Sequence, residues 1–221
     1  MKKRAIAFGA ALAAAGIAVS GLAAPASAAP ARKKFDPDVK IQDVTLNGTG
    51  CKKADTSIVM SNGNKAMDVL FSAFTTQAGK VPKDNGTTPW VDRANKNCVI
   101  NLKLAYKSGY TFALTTVTAR GFADLAAGST GKQITTYYFA GMKETGQGTS
   151  DLKGPKTDVY SYTDEIAVPN YSPCGETRAF NMNARVQVDA GKASKDSLSE
   201  LTLDSKSIDV ATKYYLSWKD C

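Results

Sequence analysis

Cysteine is the most reactive side chain in this sequence, and it occurs four times, at Cys51, Cys98, Cys174 and Cys221. No histidine accompanies it. That absence excludes a Ser-His-Asp triad, a Cys-His dyad and any His-ligated metal. It leaves carboxylate, lysine, tyrosine or cysteine as the acid–base groups. The cysteines lack the CxxC spacing of a metal site, and a catalytic thiol would need an activating base in a reducing compartment. In a chain that leaves the cytosol, an even cysteine count reads as two disulfides. Three pairings are open. Cys51–Cys98 with Cys174–Cys221 is favoured because each bridge closes a loop within its own half. Such a loop contributes about 4 kcal/mol in the chain-entropy model, and the second bridge would hold the C-terminal residue.

Carboxylates are the remaining route to hydrolysis. Asp164 and Glu165 are adjacent, so on a strand they point to opposite faces. Asp158 and Asp164 can share a face, but about 20 Å apart at roughly 3.3 Å per residue, too far for a glycosidase pair. A pair assembled by folding stays open. No GxSxG elbow is present, and Gly128-Ser-Thr-Gly131 lacks the following helix of a phosphate loop. No catalytic, cofactor-binding or metal residue is therefore assigned, and no cofactor is expected.

Two polar and aromatic patterns suit binding. Asn181, Asn183, Arg185 and Gln187 alternate along one stretch, a ladder of donors and acceptors that can read a polymer or simply face solvent. Tyr137, Tyr138 and Phe139 are consecutive, so at least one ring must leave the core side. Tyr160 with Tyr162, Tyr214 with Tyr215, and Trp90 beside Pro89 add further rings. Exposed rings can stack on sugar faces; the competing use is cross-strand packing. Asn47-Gly-Thr49, Asn85-Gly-Thr87 and Asn170-Tyr-Ser172 match the N-glycosylation acceptor pattern.

The elements that position these residues read as strands. Cys98, Ile100, Leu102, Leu104 and Tyr106 alternate with polar residues, as do Phe180, Met182, Ala184, Val186 and Val188, and then Tyr214, Leu216 and Trp218. Weaker strands are expected over Val39 to Leu46, Thr56 to Met60, Ala66 to Phe74, Tyr110 to Thr118, Gln133 to Ala140, Asp158 to Val168 and Leu201 to Ser207. Ser61-Asn-Gly-Asn64 reads as a tight hairpin, and Lys107-Ser-Gly-Tyr110 reads the same way. Gly146 to Pro155 is expected as a polar loop, and Gln77 to Asn97 as the longest irregular stretch. No twelve-residue window carries a helical stripe. Nine or ten short strands with one buried face predict an all-β, antiparallel two-sheet β-sandwich with two disulfides.

The N-terminus points to export. Met1-Lys-Lys-Arg4 is basic, Ala5 to Ala24 is apolar, and Ala26-Ser-Ala28 fits the small-x-small cleavage rule. The expected organisation is a signal peptide over 1–28, a flexible basic tail over 29–38 and a single sandwich domain over 39–221, with no membrane span after cleavage. Loss of the leader lowers the formal net charge from +8 to +5. The excess sits in the first half, which favours acidic surfaces such as anionic wall polymer. Scattered lysines without a recognition motif argue against nucleic acid.

Val44-Thr-Leu-Asn-Gly-Thr-Gly-Cys51, Asn97-Cys-Val-Ile-Asn-Leu104, Arg120-Gly-Phe122, Tyr137-Tyr-Phe139 with Gly141, Ser172-Pro-Cys-Gly175 and Trp218-Lys-Asp-Cys221 follow one another in order. Together they resemble the domain-of-unknown-function family 4360, from about Val39 to Cys221. The resemblance implies a small secreted protein of actinobacteria or fungi with four cysteines in these contexts, and it brings no known activity. The Ala-rich leader suits an actinobacterial source. The expected function is a secreted, disulfide-stabilised binding or structural protein, monomeric, whose partner is an extracellular polymer or protein. A carboxylate-dependent glycan-acting enzyme is the alternative. An inhibitor of extracellular proteases, with the loop near Cys174 as bait, is another.

Overall fold

The computed structural model describes residues 36–142, 146–166, 169–203 and 212–221. The expected signal peptide, residues 29–35 of the expected tail and the end of the Leu201 to Ser207 strand lie outside them. The described residues form thirteen strands, more than the nine or ten expected: β1 (Lys40–Gly48), β2 (Thr56–Ser61), β3 (Ala66–Phe71), β4 (Thr75–Lys80), β5 (Trp90–Val91), β6 (Arg93–Ala105), β7 (Tyr110–Leu125), β8 (Thr130–Phe139), β9 (Gly146–Lys153), β10 (Lys156–Glu165), β11 (Phe180–Asp189), β12 (Leu198–Thr202) and β13 (Thr212–Asp220). A single 3-10 turn spans Lys53–Asp55. Among the described residues no helix is long and apolar enough to cross a membrane.

All pairing is antiparallel, in two sheets. The five-stranded sheet runs β1-β6-β11-β8-β9; the eight-stranded one runs β2-β3-β13-β7-β12-β4-β5, with β10 also on β7. β7 is long enough to organise that second sheet. One edge pairs with β13 and then β12, while Thr116 to Leu125 pair with β10 on the other.

Period-2 alternation places the core between the sheets. Met182, Ala184, Val186 and Val188 of β11 and Ile100 and Leu102 of β6 are fully buried. Phe112 of β7 crosses the gap, meeting Phe139 edge-on at 5.2 Å and Phe180 at 5.9 Å. Tyr137 of β8 donates its hydroxyl to the Leu114 carbonyl of β7 at 3.4 Å. The result is an all-β sandwich. The two bridges are Cys51–Cys98 and Cys174–Cys221, with Cα atoms 5.4 and 5.7 Å apart. The first is buried and the second exposed.

Four local expectations change. Gly146 to Pro155 contains β9 rather than a loop. Its glycines face inward, where a Cβ on Gly146 would lie 1.9 Å from the Tyr137 ring and one on Gly148 2.5 Å from the Asp164 carboxylate. They are strand residues made small by what packs on them. Lys107 to Tyr110 is not a hairpin but the crossing from one sheet to the other. β6 is already paired with β1 and β11, and β7 with β13 and β10. Gln77 to Asn97 contains the end of β4, β5 and the start of β6, and Ala66 to Phe74 breaks after Phe71. The Ser61–Asn64 turn is a hairpin joining β2 to β3, with Asn62, Gly63 and Asn64 all at positive φ. Pro37, within the segment expected as tail, is buried, and its carbonyl accepts from Lys107 N at 2.9 Å.

Candidate functional site

Strand parity that buries one side of the five-stranded sheet turns its other side into a polar platform. On β11, Asn183, Arg185, Gln187 and Asp189 lie half-exposed on the outer side between the buried Met182, Ala184, Val186 and Val188, while Asn181, on the same side, is buried among its neighbours. Register sets their neighbours. Asn181 stands between Asn101 of β6 and Tyr138 of β8, Arg185 between Asn97 and Ile134, and Gln187 between Asn95 and Lys132. From Asn181 to Asp189 the ladder is about 26 Å long, and five strands make the platform about 19 Å wide.

Side-chain bonds organise this surface. Asn101 Nδ2 donates to Asn181 Oδ1 at 2.7 Å, and Arg185 Nη2 donates to Gln187 Oε1 at 3.0 Å. Asn183 Oδ1 and Arg185 Nε have no hydrogen-bond partner among the described residues. Tyr138 is 40% exposed while Tyr137 and Phe139 are buried at 1% each. Of the three consecutive rings, it is the one that leaves the core, and it does so beside the amide ladder.

One end of the platform dips into a concavity of about 520 Å³, whose lining includes Arg93, Lys132, Asp151, Lys153, Gln187 and Asp189. Arg93 Nε donates to Asp189 Oδ2 at 2.8 Å, and Lys132 Nζ lies 3.0 Å from Asp151. The Arg93 guanidinium, followed by the Gly191 N–H, holds the Asp189 carboxyl below the usual range. The two acids in this concavity are therefore each tied to a cation, and Asp189 is poorly suited to hold a proton for catalysis.

The other sequence candidates lie elsewhere. Asp158 is exposed, 3.9 Å from Lys156; Asp164 is half-buried, and burial raises its carboxyl. β10 is continuous from Lys156 to Glu165, so the separation between Asp158 and Asp164 is kept. Tyr160 is buried and donates to the Thr202 carbonyl at 2.6 Å; Tyr162 donates to the Asp151 carbonyl at 3.2 Å. Burial raises the phenols of Tyr160 and Tyr214. Tyr215 is half-buried on the eight-stranded sheet. Trp90 donates to Asp92 at 2.7 Å, with the Lys195 ammonium 3.9 Å from its ring centre. Residues 174–177, beside the second bridge, are exposed. The β11 ladder is legible in the sequence, and so is Asn101 on the polar face of the Cys98 to Tyr106 strand; Asn95 and Asn97 are not. The available signal was their alternation with Ala94 and Lys96, which the reading of Gln77 to Asn97 as irregular obscured.

A protein of Arthroderma benhamiae named as an uncharacterized secreted protein is 32% identical over 189 residues, covering 84% of this chain and 74% of that one. Among solved structures, TmCBM61 in complex with β-1,4-galactotriose overlaps with a TM-score of 0.30 and 11% identity, covering 80% of this chain and 90% of that one. That likeness is too distant to bear on the ligand. Similarity to a secreted relative agrees with the two disulfides, and the protein is extracellular. Residues 37–221 match the family described as Domain of unknown function (DUF4360), and the chain belongs to it.

Proposed function

We propose that this secreted protein is a binding module that holds an extracellular polysaccharide on the outer face of its five-stranded sheet. The observation that carries this reading is the row Asn101–Asn181–Tyr138. An exposed ring there stands directly beside an amide pair on a rigid sheet. A ring face suits the C–H face of a sugar, and amide donors and acceptors suit its hydroxyls. Arg93 with Asp189 and Lys132 with Asp151 neutralise each other at one end of the platform, and Arg185 donates an N–H to Gln187; the stretch around Tyr138 and Asn181, away from these charges, is where an uncharged, hydroxyl-rich chain fits. The backbone beneath is fixed by ladder hydrogen bonds on both sides of β11, which lowers the ordering cost of binding.

The experiment is retention of the secreted protein on insoluble neutral wall polysaccharides at low salt and at about 0.5 M salt, where exposed charges are screened. Binding that survives salt and is lost in Tyr138→Ala supports the reading. No retention on any neutral fraction contradicts it.

A further inference from the structure

The outer face of the eight-stranded sheet, on the opposite side of the sandwich, carries a different chemistry. Two adjoining concavities of about 520 and 160 Å³ share Thr118 and Tyr215. Strand register sets their order. Tyr215 stands across from Thr116, and Lys213 stands across from Thr118, which faces Thr163 on its other side. Arg120 is two residues beyond Thr118 on β7, which makes it the diagonal neighbour of Lys213, about 7–8 Å away. Lys65 lies at the far end of the groove.

Two cations on one sheet face at this spacing repel unless an anion lies near them. Asp68 supplies one for Lys213, at 3.4 Å from its Nζ. Arg120 is exposed and has no ion-pair partner among the described residues. Glu165, across from Thr116, is the other acid in register with this groove. A planar guanidinium with a row of hydroxyls beside it matches a carboxylate or phosphate, which accepts a fork of two N–H bonds and further O–H bonds.

We propose that this groove binds the anionic oxygen groups, carboxylate or phosphate, of an acidic polysaccharide. Charge complementarity with Arg120, the cation that Asp68 leaves unpaired among the described residues when it takes Lys213, selects that occupant. The site is independent of Tyr138 and Asn181, so the protein would hold a neutral chain on one face and an acidic chain on the other.

The test uses the full secreted chain with three soluble probes: polygalacturonate for the carboxylate, a phosphomannan for the phosphate, and uncharged dextran. The wild type should bind at least one acidic probe at low salt, weaken as salt rises, and bind dextran no more tightly at this groove after any change here. Arg120→Gln, at an exposed position, should keep the thermal midpoint and bind the acidic probe about tenfold more weakly, the loss of a charge-assisted bond. Thr118→Val should weaken it less. Asn181→Ala should leave acidic-probe binding unchanged, which separates this site from the neutral-polymer face. Failure of both acidic probes to bind, or undiminished binding by Arg120→Gln, overturns the proposal.

Discussion

Tyr138 and Asn181 are direct cross-strand partners on the outer face of the five-stranded sheet, and Asn181 is in turn hydrogen-bonded to Asn101 on its other side at 2.7 Å. The three residues come from strands β8, β11 and β6. Their meeting depends on the pairing order of the sheet rather than on any local motif. The rings on either side of Tyr138 in sequence are committed to the core, so strand parity alone exposes this one.

The two disulfides should respond differently to reductant. Cys98 is fully buried and Cys51 nearly so, whereas Cys174 and Cys221 are exposed. Graded reduction with alkylation and mass spectrometry should label Cys174 and Cys221 first. Removing the buried bridge should lower stability by about 4 kcal/mol if loop closure dominates. Simultaneous labelling of all four would show that exposure does not control access.

Phe112 is the ring that joins the sheets, with Tyr106, Phe139, Phe180 and Trp218 around it. Phe112→Ala should destabilise by about 3–5 kcal/mol in urea unfolding. A loss under 1 kcal/mol would mean that the sheets are held together elsewhere.

Gly146→Ala places a methyl group where the buried Tyr137 ring lies. The expected cost is about 1–3 kcal/mol, read as a lowered denaturant midpoint. Gly63→Ala meets no atom within 4 Å, so its cost should come only from the positive φ.

These glycines also mark where sequence reading ran short. The strands holding Cys98 to Tyr106 and Phe180 to Val188 are legible because large apolar residues alternate with polar ones. β9 is not, because Gly146 and Gly148 occupy its inward positions and the apolar signal is carried by Tyr137 on the neighbouring strand. Lys107 to Tyr110 has hairpin composition, yet whether two strands pair or cross depends on which edges are already taken by distant strands. For the same reason the ladder on β11 was visible, while its partnership with Asn101, 80 residues away, was not.

Alkaline pH should unfold the protein. Burial raises the Tyr160 and Tyr214 phenols above the ordinary 10.0. Their stabilising contribution is therefore complete below pH 10 and is lost as pH rises, because the unfolded chain ionises first. Each can remove about 1.4 kcal/mol per pH unit above that point. Phenolate absorbance from these two should appear together with loss of the near-ultraviolet circular dichroism. Ionisation of both in a folded chain near pH 10 would contradict their burial.

The most direct measurement is calorimetric titration of a soluble neutral oligosaccharide, chosen from the wall fraction that retains the protein, into the wild type, Tyr138→Ala and Asn181→Ala. Saturable binding is expected for the wild type, with an affinity loss of about tenfold or more in Tyr138→Ala at unchanged thermal stability; Asn181→Ala, which removes a buried amide bonded to Asn101, should lose affinity and also lower the thermal midpoint. Wild-type affinity in both variants would place the ligand somewhere other than this face.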